Sequence, residues 1–192
     1  IVEVDSVSRR GLDKLVQKID EISEDIEEKK TDAPSRMSID RVFSLKGFGT
    51  IVTGTLIEGK ISVDDEMTIY PSEKKVKVRN LQVHGCDVKT AYAGQRTAIN
   101  LSNIKVSEIQ RGDVIAQTGS VEESMMIDVN ISLVEHCKKS LKHWDRIRIF
   151  HGTKQILCRI VPLNEDEIQY GESGYAQLRL EEKIVAKKGD RF

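Results

Sequence analysis

The sequence is poor in aromatic residues, which make up 5% of it, and it has only three cysteines. Three is odd, and Cys86, Cys137 and Cys158 follow no regular spacing. That pattern excludes a disulfide framework and points to reduced thiols in a cytoplasmic protein. No apolar run approaches the roughly 18 residues a spanning helix needs, so no membrane partner is expected. No signal peptide heads the chain, which begins at Ile1 rather than Met and reads as part of a longer protein. Charge of one sign is also missing. The formal net charge is −1, which excludes a strong overall pull toward nucleic acid. Neither G-x-S-x-G nor a paired-carboxylate pattern occurs, so catalysis by these residues alone is not expected and no catalytic residue is assigned.

What is present is β-like. The chain has 192 residues, enough for one large or two small domains with a real core. Its 39% hydrophobic content is carried by Val, Ile and Leu more than by rings. One helix is expected near the start, where Leu12, Leu15, Val16, Ile19, Ile22 and Ile26 fall at three- and four-residue steps. The preceding Ile1-Val2-Glu3-Val4 reads as the end of a strand. A polar stretch leading to Pro34 breaks the helical pattern. Short strands then alternate with turns. They are expected over residues 37–45, 49–57, 66–70, 75–83, 95–101 and 113–117, then over 125–134, 146–151, 155–161 and 174–181. Close spacing of this kind suggests closed barrels. The organisation is therefore residues 1–30, a linker at 31–36, a first barrel at 37–119 and a second at 120–192. Charge is uneven across it. Residues 1–35 hold 6 Lys+Arg against 10 Asp+Glu, residues 36–120 hold 12 against 9, and residues 121–192 hold 12 against 12.

Several apparent motifs are decoys. Residues 54–61 nearly fit the phosphate-cradling G-x-x-x-x-G-K-[ST], but Ile61 stands where the hydroxyl for Mg²⁺ is needed. A strand ending in a turn at Glu58-Gly59-Lys60 explains them better. His84 with Cys86, and His136 beside Cys137, with His143 and His151 nearby, lack the paired spacing of a zinc site, so no metal is expected. Lys138, Lys139, Lys142, Arg146 and Arg148 surround Trp144. A solvated face explains that cluster as well as an RNA contact does.

Asp40-Arg41, heading the stretch Asp40-Arg41-Val42-Phe43-Ser44-Leu45-Lys46-Gly47-Phe48-Gly49-Thr50-Ile51-Val52-Thr53-Gly54, is not needed for the hairpin it precedes. From Arg41 to Leu56 this hairpin resembles the first hairpin of the second domain of translational GTPases. Ala93-Gly94-Gln95-Arg96 and Ile109-Gln110-Arg111-Gly112-Asp113 resemble later strands of that barrel. Within the superfamily, Ile39-Asp40-Arg41-Val42-Phe43, Ala93-Gly94-Gln95-Arg96 and the late run Gly171-Glu172-Ser173-Gly174-Tyr175-Ala176-Gln177-Leu178-Arg179 are most similar to the bacterial-type selenocysteine-specific elongation factors. The resemblance covers essentially the whole chain. It implies a mainly β fold: two small barrels of the domain II and III type, preceded by the last strand and helix of an α/β GTPase domain.

On that resemblance Ser6, Val7 and Ser8 lie in a guanine-proximal loop. The phosphate loop, the Mg²⁺-binding turn and the guanine reader are missing from these residues. GTP and Mg²⁺ are therefore implied for the whole protein and not for this part. The implied partners are selenocysteinyl-tRNA, the ribosome and the GTPase domain of the same chain. An mRNA hairpin is implied only through modules beyond these residues. The resemblance further implies that Asp40, Arg41 and Arg96 line the pocket for the selenocysteinyl end. In the relative that delivers ordinary amino acids, the places of Asp40 and Arg41 look acidic and that of Arg96 uncharged. A selenol ionises far more readily than a hydroxyl, and arginine stays protonated, so two added arginines suit a selenolate. Asp40 suits either the aminoacyl α-amino group or the holding of an arginine. The residues alone allow a surface ion-pair network instead. Two other functions fit the pattern: barrels of an ordinary elongation or initiation factor, or a non-catalytic interaction module using Met125, Met126 and Trp144.

Overall fold

The computed structural model describes residues 1–26, 29–136 and 139–192. Helix α1 (Leu12–Glu24) comes first. The strands of the first half are β1 (Arg36–Leu45), β2 (Gly49–Glu58), β3 (Lys60–Ser62), β4 (Glu66–Tyr70), β5 (Lys74–Val83), β6 (Cys86–Val88), β7 (Thr90–Tyr92), β8 (Arg96–Ser102) and β9 (Val114–Gln117). Those of the second half are β10 (Glu123–Ser132), β11 (Leu141–Lys142), β12 (Arg146–His151), β13 (Lys154–Pro162), β14 (Glu167–Ile168) and β15 (Ser173–Val185).

The first half closes on itself. Strand order β4-β9-β1-β2-β8-β5, with β5 pairing back to β4, makes a six-stranded barrel. Strand β6 extends it beyond β5, and β3 with β7 forms a separate ribbon. Alternation along β5 buries Val76, Val78, Leu81 and Val83. The step from 78 to 81 breaks period two because the register shifts between Val78 and Asn80. Met37, Ile39, Val52, Leu56 and Ile99 fill the interior with no exposed surface. Burying each such side chain contributes about 1.5–3 kcal/mol. The phosphate-loop lookalike is the end of β2, a turn at Gly59 and the start of β3, as its apolar residues suggested.

The second half wraps a sheet of order β10-β15-β13-β12 and a β11–β14 ribbon around its own core. Ile156, Cys158, Ile160, Ala176 and Leu178 are its fully enclosed residues. The fold is mainly β, as the sequence implies.

Two local expectations fail. Residues 1–4 form no strand: a strand exists through its partner's hydrogen bonds, and none lies beside them among the described residues. Helix α1 ends at Glu24, so Ile26 lies past it rather than on its stripe. The stripe itself forms, but no residue of α1 is buried. Cys137 and Lys138 lie outside the described residues.

The halves meet through a buried ion cluster. Arg36, 4% exposed, donates to Asp190 through Nη1 (2.6 Å) and Nη2 (2.7 Å) and to Glu58 through Nε (2.9 Å). Lys187 Nζ lies 2.6 Å from Glu58, and His151 Nε2 lies 3.1 Å from Asp190. Tyr70, Val114 and Ala116 pack with Val121 and Val185 in a small core across the join. Burial alone would raise the Asp190 pKa. The Arg36 hydrogen bonds, the Lys187 amide and the Arg36 charge outweigh it and bring the group from 3.8 to about 2. A folded pKa below the unfolded one gives stability that is present above about pH 4 and lost as pH falls toward 2, worth about 2 kcal/mol here. Asp190→Asn should therefore destabilise the protein near neutral pH. On acidification to about pH 2 it should lose about 2 kcal/mol less than the wild type in urea titrations. Equal acid sensitivity of the two proteins would contradict this.

Candidate functional site

Strands β1 and β2 pair in simple register from Leu45 opposite Gly49 back to Arg41 opposite Thr53, but Ile39 faces Gly54. One extra residue, Asp40, is inserted on β1. Such a bulge sets two successive side chains on the same side of the sheet. Asp40 thus joins Arg41 on the outer face, while Ile39 still fills the core. Gly54 allows the close approach: a Cβ there would lie 2.1 Å from the Ser38 carbonyl oxygen. On the other side of β2, Thr55 pairs with Arg96 of β8, which brings Arg96 beside the bulge.

The side chains meet as these registers require. Asp40 Oδ1 accepts from Thr53 Oγ1 at 2.6 Å and from Arg96 Nη2 at 3.1 Å. Asp40 is largely covered, whereas the Arg96 side chain is 54% exposed. Arg41 is exposed and has no hydrogen-bond or ion-pair partner among the described residues. Two guanidiniums and one carboxylate leave this patch with a formal charge of +1. The structure therefore joins Asp40 and Arg96 directly and leaves Arg41 unpaired on the same face.

Other expected residues sit elsewhere. Ser6, Val7 and Ser8 curl around Asp5, whose Oδ1 accepts from the Val7 amide at 2.9 Å and whose Oδ2 accepts from Ser8 Oγ at 2.5 Å. The Ser8 hydrogen bond, followed by the Val7 amide, holds the Asp5 carboxyl below its usual range. Among the described residues, no group of three or more His, Cys, Asp and Glu is gathered for a metal. The His136–Cys137 pair falls partly outside the described residues. Met125 and Met126 are about half exposed, and Trp144 is capped by Arg179, whose guanidinium carbon lies 5.7 Å from its ring centre.

One feature of the site has no strong signal in the sequence. Beside the hairpin tip, a slot of about 120 Å³ is lined by Leu45, Phe48, Ile51 and Ala98 together with the amide-bearing Asn80, Gln82 and Asn100. Asn100 Oδ1 is cut off from solvent and has no partner. Outward positions on β5 and β8 are readable from alternation, but the bulge at Val78/Asn80 and the short β6 are not. The Asp40–Arg96 pair is open to water, so a double-mutant cycle on stability should give a coupling below about 1 kcal/mol. A coupling above about 2 kcal/mol would make the pair a structural element.

The likenesses to known proteins fit this architecture. Residues 49–116 match the family described as elongation factor Tu domain 2, and residues 128–192 match the beta-barrel domain of the selenocysteine-specific elongation factor. The whole chain is 36% identical to a selenocysteine-specific elongation factor of Desulfomicrobium baculatum and spans 30% of it. A crystal structure of a bacterial selenocysteine-specific elongation factor superposes with a TM-score of 0.82 at 28% identity, covering 99% of this chain and 30% of that one. The apo form of translation elongation factor SelB from Methanococcus maripaludis superposes with a TM-score of 0.84 at 25% identity, covering 97% and 44%. The chain thus spans less than half the length of each. Two adjoining domain matches, and a full-length likeness in both sequence and fold, lead to one assignment: the chain belongs to the selenocysteine-specific elongation factor family.

Proposed function

We propose that these barrels are the tRNA-holding part of a selenocysteine-specific elongation factor, with the outer face of β1, β2 and β8 taking the selenocysteinyl end for GTP-dependent delivery to the ribosome. One observation carries this reading: Arg41, without a partner among the described residues, stands beside an Arg96 that among those residues bonds only Asp40, through one N–H. Such a patch attracts an anion. Selenocysteine is anionic at neutral pH and serine is not. Asp40 Oδ2 accepts no hydrogen bond from the described residues, which leaves it for the aminoacyl α-amino group.

Magnitudes say what else is needed. A unit-charge pair 4 Å apart gains about 4 kcal/mol at an effective dielectric near 20, but an exposed pair gains only about 0–1 kcal/mol. Selection of the selenolate therefore needs a second wall over the open face. The relatives are at least twice as long as this chain, and the GTPase domain of the same chain is proposed to supply that wall. GTP and Mg²⁺ are proposed to bind there too. The loop of residues 6–8 already commits its Val7 amide and Ser8 hydroxyl to Asp5. The 120 Å³ slot beside the arginines suits the terminal base.

The second barrel supports an RNA partner. On the outer face of its sheet, Arg146 pairs with Arg159 and Arg159 with Arg179, three like charges in one row across β12, β13 and β15. Cross-strand like charges cost stability; Glu181 bonds Arg146 at 2.7 and 2.8 Å, and Trp144 accepts from Arg159 through its carbonyl at 3.0 Å and meets Arg179 with its ring, so only Arg146 of the three has a carboxylate partner among the described residues. A phosphate backbone would relieve that repulsion. Reading of an mRNA hairpin is assigned to modules outside these residues.

The test uses the full-length protein loaded with GTP. Selenocysteinyl and seryl forms of one tRNA are titrated against wild type and Arg96→Ala. Wild type should prefer the selenocysteinyl form by about a hundredfold or more, and the variant by less than about tenfold. Equal binding of the two forms by wild type, or full preference in the variant, would refute the assignment.

A further inference from the structure

We propose that Trp144 is a stacking platform for an unpaired base of the RNA that meets the second barrel, with Arg159 and Arg179 holding the phosphates beside that base. The inference rests on the RNA reading of the arginine row, and it adds what the RNA must present there.

Trp144 is the chain's one tryptophan, and it lies in the turn between β11 and β12. Its φ is 72°, left-handed backbone that bulky side chains rarely adopt. The turn is held in that form by its own bonds. The Trp144 amide donates to the Ile160 carbonyl at 2.8 Å, and the Ile160 amide donates to the Asp145 carbonyl at 3.1 Å. Asp145 Oδ2 accepts from the Lys142 amide at 2.9 Å. Packing does not account for the ring, because Trp144 is 47% exposed and takes no part in the core of the second barrel. Strained backbone persists only where its surroundings enforce it, and it collects at ligand sites.

The surroundings of the ring are cationic. The Arg179 guanidinium carbon lies 5.7 Å from its centre, and Arg159 Nη1 donates to the Trp144 carbonyl at 3.0 Å. Neither a ring nor a carbonyl carries a full charge, so both arginines keep theirs for an anion. The exposed His143 ring stands 5.8 Å from the Trp144 ring, tilted by 31°, and widens the aromatic surface. An arginine row alone grips a phosphate backbone of any sequence. A tryptophan among the arginines adds a flat π surface, which a base covers only when it is free of its own stack. Paired bases inside a duplex have both faces taken, so the nucleotide that meets Trp144 belongs to a loop, a bulge or an end. A nucleotide joins an anion to a planar ring, and this cluster offers a partner for each.

The experiment uses full-length, GTP-loaded protein and selenocysteinyl-tRNA. Trp144→Gly removes the ring and leaves a residue that adopts a φ of 72° freely, so the turn is retained. This variant should bind the tRNA about tenfold more weakly, with no lower unfolding temperature than wild type. Its salt dependence should match that of wild type, because stacking displaces no counterion. Trp144→Phe keeps a ring and should stay within about threefold of the wild-type affinity. The emission that wild type has beyond Trp144→Phe isolates residue 144, and it should be quenched when the tRNA binds. Arg159→Ala should weaken binding and lower the salt slope by about one. Wild-type affinity in Trp144→Gly, or emission from residue 144 that ignores the tRNA, overturns the proposal. A lowered unfolding temperature in Trp144→Gly marks the ring as structural and overturns it too. If Arg159→Ala still flattens the salt dependence in those cases, the RNA reading of the arginine row stands; if it changes nothing, that reading falls as well.

Discussion

Between Ile39 and Arg41 the backbone of β1 carries one residue more than β2 opposes, and the chemistry of the outer face follows from that excess. The bulge is pinned from both sides. The Ile39 amide donates to the Asp113 carbonyl at 2.9 Å. The Ile39 carbonyl accepts from the Gly112 amide at 2.9 Å and from Thr153 Oγ1 at 2.6 Å. Backbone groups released from a ladder must find other partners, and here β9's leading turn and the second barrel supply them. Gly54 removes the side chain that would block the approach. The acid and the base of the site are thus fixed by groups that take no part in it.

The same join ties the two barrels together. Thr153 lies in the turn between β12 and β13, and Gly152 comes so close to Ser38 that a Cβ would lie 2.7 Å from its hydroxyl oxygen. Arg36 sits at the head of β1, four residues before Asp40, and is clamped by Asp190 and Glu58. A buried arginine of this kind is stable only while its carboxylates remain, because either partner left alone is an unpaired buried charge. The face that carries Arg146, Arg159 and Arg179 and the face that carries Arg41 and Arg96 are therefore parts of one connected body, with β1 running from the join to the pocket.

Much of this is legible in the residues. The β1–β2 hairpin announces itself through Lys46-Gly47-Phe48-Gly49 between two β-branched runs. The strand over residues 75–83 shows its alternation, and Pro34 marks the break after the helix. Asp40, Arg41 and Arg96 stand out because nothing in the hairpin needs them. The short strands β3, β6, β7, β11 and β14 are not legible, since two or three residues hold no period. Residues 1–4 have the composition of a strand, and only the absence of a described neighbour decides against it. Register is the larger gap. The arginine row depends on which residues of distant strands stand opposite, and one bulge shifts every such pair. Asn80, Gln82 and Asn100 read as ordinary polar residues until the pairing of β5 with β8 sets them side by side on the outer face.

The central claim is that Arg41 and Arg96 read the charge of the amino acid rather than its shape. Cysteine tests this directly, because its thiol has nearly the same shape as the selenol and ionises near pH 8.5. The measurement is the affinity of the full-length, GTP-loaded protein for cysteinyl-tRNA, relative to seryl-tRNA, between about pH 6.5 and pH 9.5. The account predicts a ratio that rises by at least about tenfold as the thiol ionises and a selenocysteinyl affinity that stays level over the same range. A cysteinyl ratio that is flat with pH would contradict it and would leave Asp40, Arg41 and Arg96 as a surface network.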